Sequence, residues 1–192
     1  MKEKICMIVF VLILGSTWTT ALVVVDKYTR PYIEKYQAEK LRKSVLGAFG
    51  ISYEGQDIEA VFSENVDVIE KGDKTIYRTK SGAIAFNITG SGSQGPISGV
   101  MALESDLKTI KGITIVSHVE TPGLGDRVLE KKKLDTFKGK KIVPQLEVIV
   151  AGTAEKESEV QGITGATLTS KAFEKLINTE SKEYISLVSE GE

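Results

Sequence analysis

The sequence predicts an α+β domain carried on a membrane-spanning helix, and three observations predict it. Near the N-terminus, residues 5–25 form a run of 21 without a charge. The middle of the chain alternates apolar and polar residues between short Gly/Asp/Ser clusters, the period-2 pattern of half-buried strands. The last stretch, from about residue 170 to 187, returns to helical spacing, with Ala172, Phe173, Leu176 and Ile177 opening a buried face. Strands bracketed by helices, without regular strand–helix alternation, indicate an α+β domain with mainly antiparallel strands and a C-terminal helix.

Taken in order, residues 1–4 are a short N-terminus. A helix of residues 5–25 is about 31 Å long, enough to cross a hydrocarbon core of about 30 Å. The rival reading is a cleaved signal peptide with residues 5–15 as its apolar core. No A-x-A site is present and the apolar run resumes through Ala21-Leu22-Val23-Val24-Val25, which favours a retained single-pass anchor. Lys2 and Lys4 before the span nearly balance Lys27 and Arg30 after it, so charge leaves the orientation open. A short N-terminus leading into one large domain favours an extracytoplasmic domain on the cell (inner) membrane.

Residues 26–57 are predicted as a juxtamembrane stalk helix and linker. Pro31 suits a first helical turn, Ile33, Tyr36, Leu41, Val45 and Phe49 recur at helical spacing, and Gly50 suits the stop. The domain proper is expected over residues 58–192. Its opening, FSENVDVIEK, TIYRT and AIAFNITG, reads as strands joined by KGDK and KSG turns. GSGSQGPISG reads as a long glycine-serine loop, VMALES and ITIVSHVE as two further strands, residues 129–137 as a short helical piece, and LEVIVAG as another strand.

Composition excludes several classes. Twenty-five basic against 26 acidic residues leave no basic stripe for nucleic acid, so no nucleic-acid partner is expected. One cysteine, Cys6, lies inside the apolar run, and His118 is the one histidine. A disulfide framework, a zinc cluster, a four-cysteine iron–sulfur site and a histidine-rich metal or haem site are therefore excluded within this chain. Redox work here would need an organic cofactor.

Two stretches ask for more than a fold. QGITGATLTS, residues 161–170, holds four hydroxyls and three small residues and no charge, just ahead of the C-terminal helix. The first N–H groups of a helix have no intrahelical partner and sit at the positive end of its dipole, so an anion is favoured there. Gly162, Gly165 and Ala166 admit a close ligand, and Thr164, Thr167, Thr169 and Ser170 can donate to it; a helix cap with spare threonines is the plainer alternative. The Walker pattern is absent. The second stretch is HVETPGLGD, residues 118–126. Pro122 fixes one dihedral while Gly123 and Gly125 free theirs, and Leu124 between them offers apolar surface. A surface turn is again the alternative.

Together, ETPGLGD on a strand exit and T-G-A-T before a C-terminal helix resemble the FMN-binding domain of membrane electron-transport complexes. With the single N-terminal span, the chain is similar to the G subunit of the Rnf-type ion-translocating oxidoreductase and to its relative, the C subunit of the sodium-pumping NADH:quinone reductase. The resemblance covers roughly residues 80–180. It implies FMN held covalently, as a phosphoester on Thr167, installed from FAD by a flavin transferase with magnesium. Thr164, Gly165 and Ala166 would complete the phosphate seat. Glu120, Thr121, Gly123, Leu124 and Gly125 would lie beside the flavin ring. The other membrane subunits of such a complex would be the partners, and the implied role is electron relay within a translocase, not turnover of a substrate by this chain alone. The family's motif carries an aspartate three positions before the first hydroxyl residue; here that position is Gln161. A standalone anchored flavin carrier, and an anchored binding domain without flavin, are the rival readings.

Overall fold

The structure is a computed structural model and describes Lys2–Ser189. It divides into two compact units, residues 1–39 and 40–192. Helix α1 (Lys2–Phe49) supplies the whole of the first and the opening of the second.

In the first unit the side chains of the uncharged run are exposed all round, including Phe10, Leu12, Trp18 and Leu22. This is one helix long and apolar enough to cross a membrane. Two of its hydroxyls bond back to the helix: Ser16 donates to the Leu12 carbonyl at 2.7 Å and Thr17 to the Ile13 carbonyl at 2.8 Å. Back-bonding of this kind suits surroundings that offer no water. A separate stalk helix opening at Pro31 does not form. Pro31 lies inside α1, because the missing N–H removes one bond from a ladder that both flanks continue.

The last turns of α1 belong to the second unit, whose core extends upstream of the expected start at residue 58. Val45, Leu46, Ala48 and Phe49 are buried. The helix stops where expected, at Gly50, which takes φ +74° and lets Ile51 N–H bond the Leu46 carbonyl at 2.9 Å. Residues expected to begin a strand instead form helix α2 (Ile58–Asn65), opened by the Asp57 side chain accepting from Glu59 N–H at 3.0 Å.

Five strands follow as an antiparallel meander in the order β1–β5: Val66–Lys71, Lys74–Thr79, Ile84–Ser91, Pro96–Leu103 and Ile110–His118. The expected long loop at 90–99 is mostly ladder. Ser91 pairs with Pro96, and Gly92 N–H closes the turn on the Gly95 carbonyl at 2.7 Å.

The period-2 pattern sorts large from small. Ile84, Phe86, Ile88, Met101 and Leu103 face one side, where they pack with Phe173, Leu176, Ile177 and Tyr184 of the C-terminal helix. Ala83, Ala85, Val100 and Ala102 face the other, under the end of α1 and Val61 of α2. Small residues are required there: a Cβ on Gly112 would come within 2.4 Å of the Ala48 carbonyl oxygen. After β5 the chain makes short helical turns around α3 (Lys131–Leu134). Strand β6 (Glu147–Ile149) then pairs in parallel with β7 (Glu159–Gln161), a strand that sequence patterning does not predict. Helix α4 (Thr167–Ser189) begins three residues earlier than expected. Asn178 fixes α4 against the approach to β6, accepting from Leu146 N–H at 2.9 Å and donating to the Leu146 carbonyl at 2.8 Å.

Candidate functional site

The sheet brings three loops to one end: the β3–β4 turn, the loop leaving β5, and the loop from β7 into α4. They enclose a hollow of about 290 Å³ lined by Glu120, Thr121, Leu124, Gly125, Gly165, Ala166 and Thr167, joined by Ser93, Gln94, Leu168 and Thr169. That volume is near the lower end of the ~300–1,000 Å³ usual for small-molecule pockets.

Each wall follows from local sequence. Gly165 takes φ +86°, which turns the chain so that Ala166 N–H bonds the Ile163 carbonyl at 3.0 Å and Ser170 N–H the Ala166 carbonyl at 2.9 Å. Helix α4 therefore opens at Thr167, which is exposed on the rim of the hollow. The first N–H groups of a helix lack intrahelical acceptors, so this end of α4 is a seat for an anion. Leu168 beside it is 75% exposed, and Leu124 across the hollow is 52% exposed. Two bare leucines flanking one hollow offer surface to a flat apolar body.

Glu120 is the one buried charged group in this wall, 4% exposed. Its Oε1 accepts from Ser93 N–H at 2.7 Å and Gln94 N–H at 3.1 Å, and its Oε2 from the Thr169 hydroxyl at 2.7 Å. One carboxylate thus ties all three loops together. Gly125 must be glycine for this: a Cβ would stand 2.6 Å from Glu120 Oε2 and 2.7 Å from Thr169 Oγ1.

The remaining expected residues fall as follows. Thr164 and Gly123 are exposed and lie outside the lining of the hollow; Gly123, at φ +76°, makes the turn. Leu124 N–H and Asp126 N–H both bond the Thr121 carbonyl, at 3.2 and 3.3 Å, so these backbone groups are taken within the loop. Ser170 Oγ is buried without a partner. Sequence reasoning misses Ser93, Gln94 and Leu168, and it leaves Thr169 unassigned. The glycine spacing of GSGSQG is the available signal for the first two, since a turn that tight presents successive N–H groups.

Behind the seat, Gln161 closes the 149–154 turn. Its amide donates to the Ile149 and Gly152 carbonyls at 3.0 and 3.1 Å and accepts from Ala154 N–H at 3.1 Å. Its own carbonyl accepts from Lys133, whose half-buried ammonium is pushed below the usual lysine range by desolvation. Glu159, two residues earlier, is held down at about 2 by the Lys156 ammonium and by the N–H groups of Glu155 and Lys156.

An anion seat at a helix start, with one bare leucine beside it and another across a glycine-lined hollow, can hold a phosphorylated ligand with a flat apolar body. Residues 92–180 match the FMN-binding domain family. The chain is 34% identical over 144 residues to the G subunit of the Na(+)-translocating ferredoxin:NAD(+) oxidoreductase complex of Acetobacterium woodii, covering 68% of this chain and 69% of the relative. It is 34% identical over 109 residues to the C subunit of the Na(+)-translocating NADH-quinone reductase of Vibrio anguillarum, covering 52% of this chain and only 43% of the relative. Shewanella oneidensis NqrC has the same fold, with a TM-score of 0.69 at 19% identity over 77% of this chain and 93% of that one. The corresponding reductase chain of Parabacteroides distasonis gives 0.69 at 22%, over 80% and 94%. The chain belongs to the FMN-binding domain family, alongside the G and C subunits of these translocating complexes.

Proposed function

We propose that this chain is a membrane-anchored electron carrier that holds FMN as a phosphoester on Thr167, within an Rnf-type ion-translocating complex. The observation that carries the attachment is the position of Thr167. It is the first residue of α4, exposed, on the rim of the hollow, with the helix N-terminus behind it. FMN fits the residues present. The helix start and Thr167 would hold its phosphate, Leu124 and Leu168 would offer apolar surface to the ring, and Gly125 and Gly165 would leave room. The flavin, once bound, supplies one- and two-electron chemistry.

The chain's own residues position and shield. Glu120 fixes the three loops, Thr169 keeps α4 in register with them, and Leu124 and Leu168 would help to exclude water from a bound flavin. Helix α1 would anchor the domain, on the extracytoplasmic side, where a tethered cofactor is not lost by dissociation. A flavin transferase would load it. The Rnf-type reading is supported above the quinone-reductase one by the larger share of the relative matched, 69% against 43%. The test is the intact mass of the detergent-extracted chain, coexpressed with a flavin transferase and measured under denaturing conditions. An addition of one FMN less one water, mapped to the peptide with Thr167, is the expected result. An unmodified chain, with the transferase proven active on another substrate, leaves an anchored binding domain.

A further inference from the structure

We propose that Glu120 acts as a positioning residue whose buried carboxylate also sets the reduction potential of the flavin, holding it lower than a neutral side chain would. This rests on the flavin reading above.

The geometry makes Glu120 more than a loop staple. It lies in the wall of the hollow and is 4% exposed, so little water screens it on the cavity side. Its three partners, Ser93 N–H, Gln94 N–H and the Thr169 hydroxyl, are uncharged. They solvate a negative charge without cancelling it. The fold also reserves space for the group. A Cβ on Gly92 would stand 2.2 Å from Oε1, and one on Gly125 would stand 2.6 Å from Oε2. A neutral amide could hold the same three loops, yet the chain places a charge there.

The sign follows from electrostatics. Reduction makes the bound flavin richer in electrons, and a fixed negative charge in a poorly screened wall raises the energy of that form. Each hydrogen bond donated to the carboxylate softens the effect by drawing its charge away. Removing the charge should therefore raise the potential, and removing a donor should lower it.

The experiment is a spectroscopic potentiometric titration of the full-length, flavin-loaded chain in detergent, comparing wild type with Glu120→Gln and Thr169→Val. The glutamine can still accept from Ser93 and Gln94 and can donate to Thr169, so it removes charge while keeping shape. The valine keeps the charge and removes one donor. The expected result is a shift to more positive potential in the first and to more negative potential in the second. A merely structural role would lower the melting temperature of both and would not drive their potentials apart. Unshifted potentials, or shifts of the same sign, overturn the proposal. If Glu120→Gln carries no flavin, Thr169→Val decides: a negative shift supports the proposal, and any other result overturns it. Loss of flavin from both variants limits Glu120 to positioning and overturns its role in the potential. A wild-type chain without flavin overturns the flavin reading itself, and this proposal with it.

Discussion

The Thr169 hydroxyl donates to Glu120 Oε2 at 2.7 Å across 49 residues of chain, joining the start of α4 to the loop that leaves β5. Both groups are buried, at 3% and 4% exposure. Leaving one oxygen of a buried carboxylate without its donor costs roughly 1–3 kcal/mol. Thr169→Val changes shape little, so denaturant unfolding of the full-length protein followed by circular dichroism should show a loss of that size. A loss well under about 0.5 kcal/mol, the low end for a single hydrogen bond, would mean that the three loops are held by something other than this carboxylate.

Thr167 gives the opposite expectation. It is exposed at the first position of α4, and no side-chain hydrogen bond among the described residues depends on it. Thr167→Ala should abolish in-gel flavin fluorescence of the denatured chain while changing stability by no more than about 0.5 kcal/mol. Thr164→Ala, outside the lining of the hollow, should reduce the fluorescence much less. Fluorescence persisting in Thr167→Ala would move the ester to another hydroxyl.

The two glycines of the ETPGLGD loop should respond differently to alanine. Gly123 meets nothing within 4 Å but has φ +76°, so Gly123→Ala stores only backbone strain, about 1–2 kcal/mol. At Gly125 the new Cβ would strike Glu120 Oε2 and Thr169 Oγ1 together, two atoms locked in one hydrogen bond. Gly125→Ala should therefore destabilise by about 1–3 kcal/mol through overpacking and, unlike Gly123→Ala, lower flavin content as well. Thermal melts with flavin-to-protein absorbance ratios distinguish the two; equal flavin loss in both would contradict the clamp.

How far the sequence reveals this site depends on where each part lies along the chain. Local signals agree with the structure where they concern elements alone: the uncharged run as helix, the alternation of β2 to β5 and Gly50 as a helix stop. Helix α2 reads as a strand because eight residues are barely two turns, and its visible cue is the cap at Asp57, not periodicity. Strand β7 escapes notice because three residues carry no pattern and its parallel partner lies on the other side of an intervening loop. Ser93 and Gln94 reach the site through Glu120, 27 and 26 residues away, a juxtaposition that only the β4–β5 pairing creates. Gln161 shows the same limit. As a motif position it is a departure from aspartate, whereas in the fold its amide donates to two carbonyls, which a carboxylate could not do.

Glu159 carries the acid-side expectation. Its carboxyl is held at about 2, against 4.5 ordinarily, chiefly by the Lys156 ammonium and then by the Glu155 and Lys156 N–H groups. The folded value lies below the unfolded one, so the folded state favours the ionised form. The contribution is fully present above about pH 4.5 and is lost as pH falls through about 2. Those three donors close the turn that leads into β7, directly upstream of the loop that seats Thr167. Stability measured against pH should therefore fall between about pH 4.5 and 2 in wild type. Glu159→Gln should be less stable than wild type at neutral pH and should show a shallower decline over that window. Parallel curves for the two proteins would assign the acid sensitivity to another carboxylate, of which Asp106, held low through its bonds to Thr109, Lys108 and Lys141, is the first to examine.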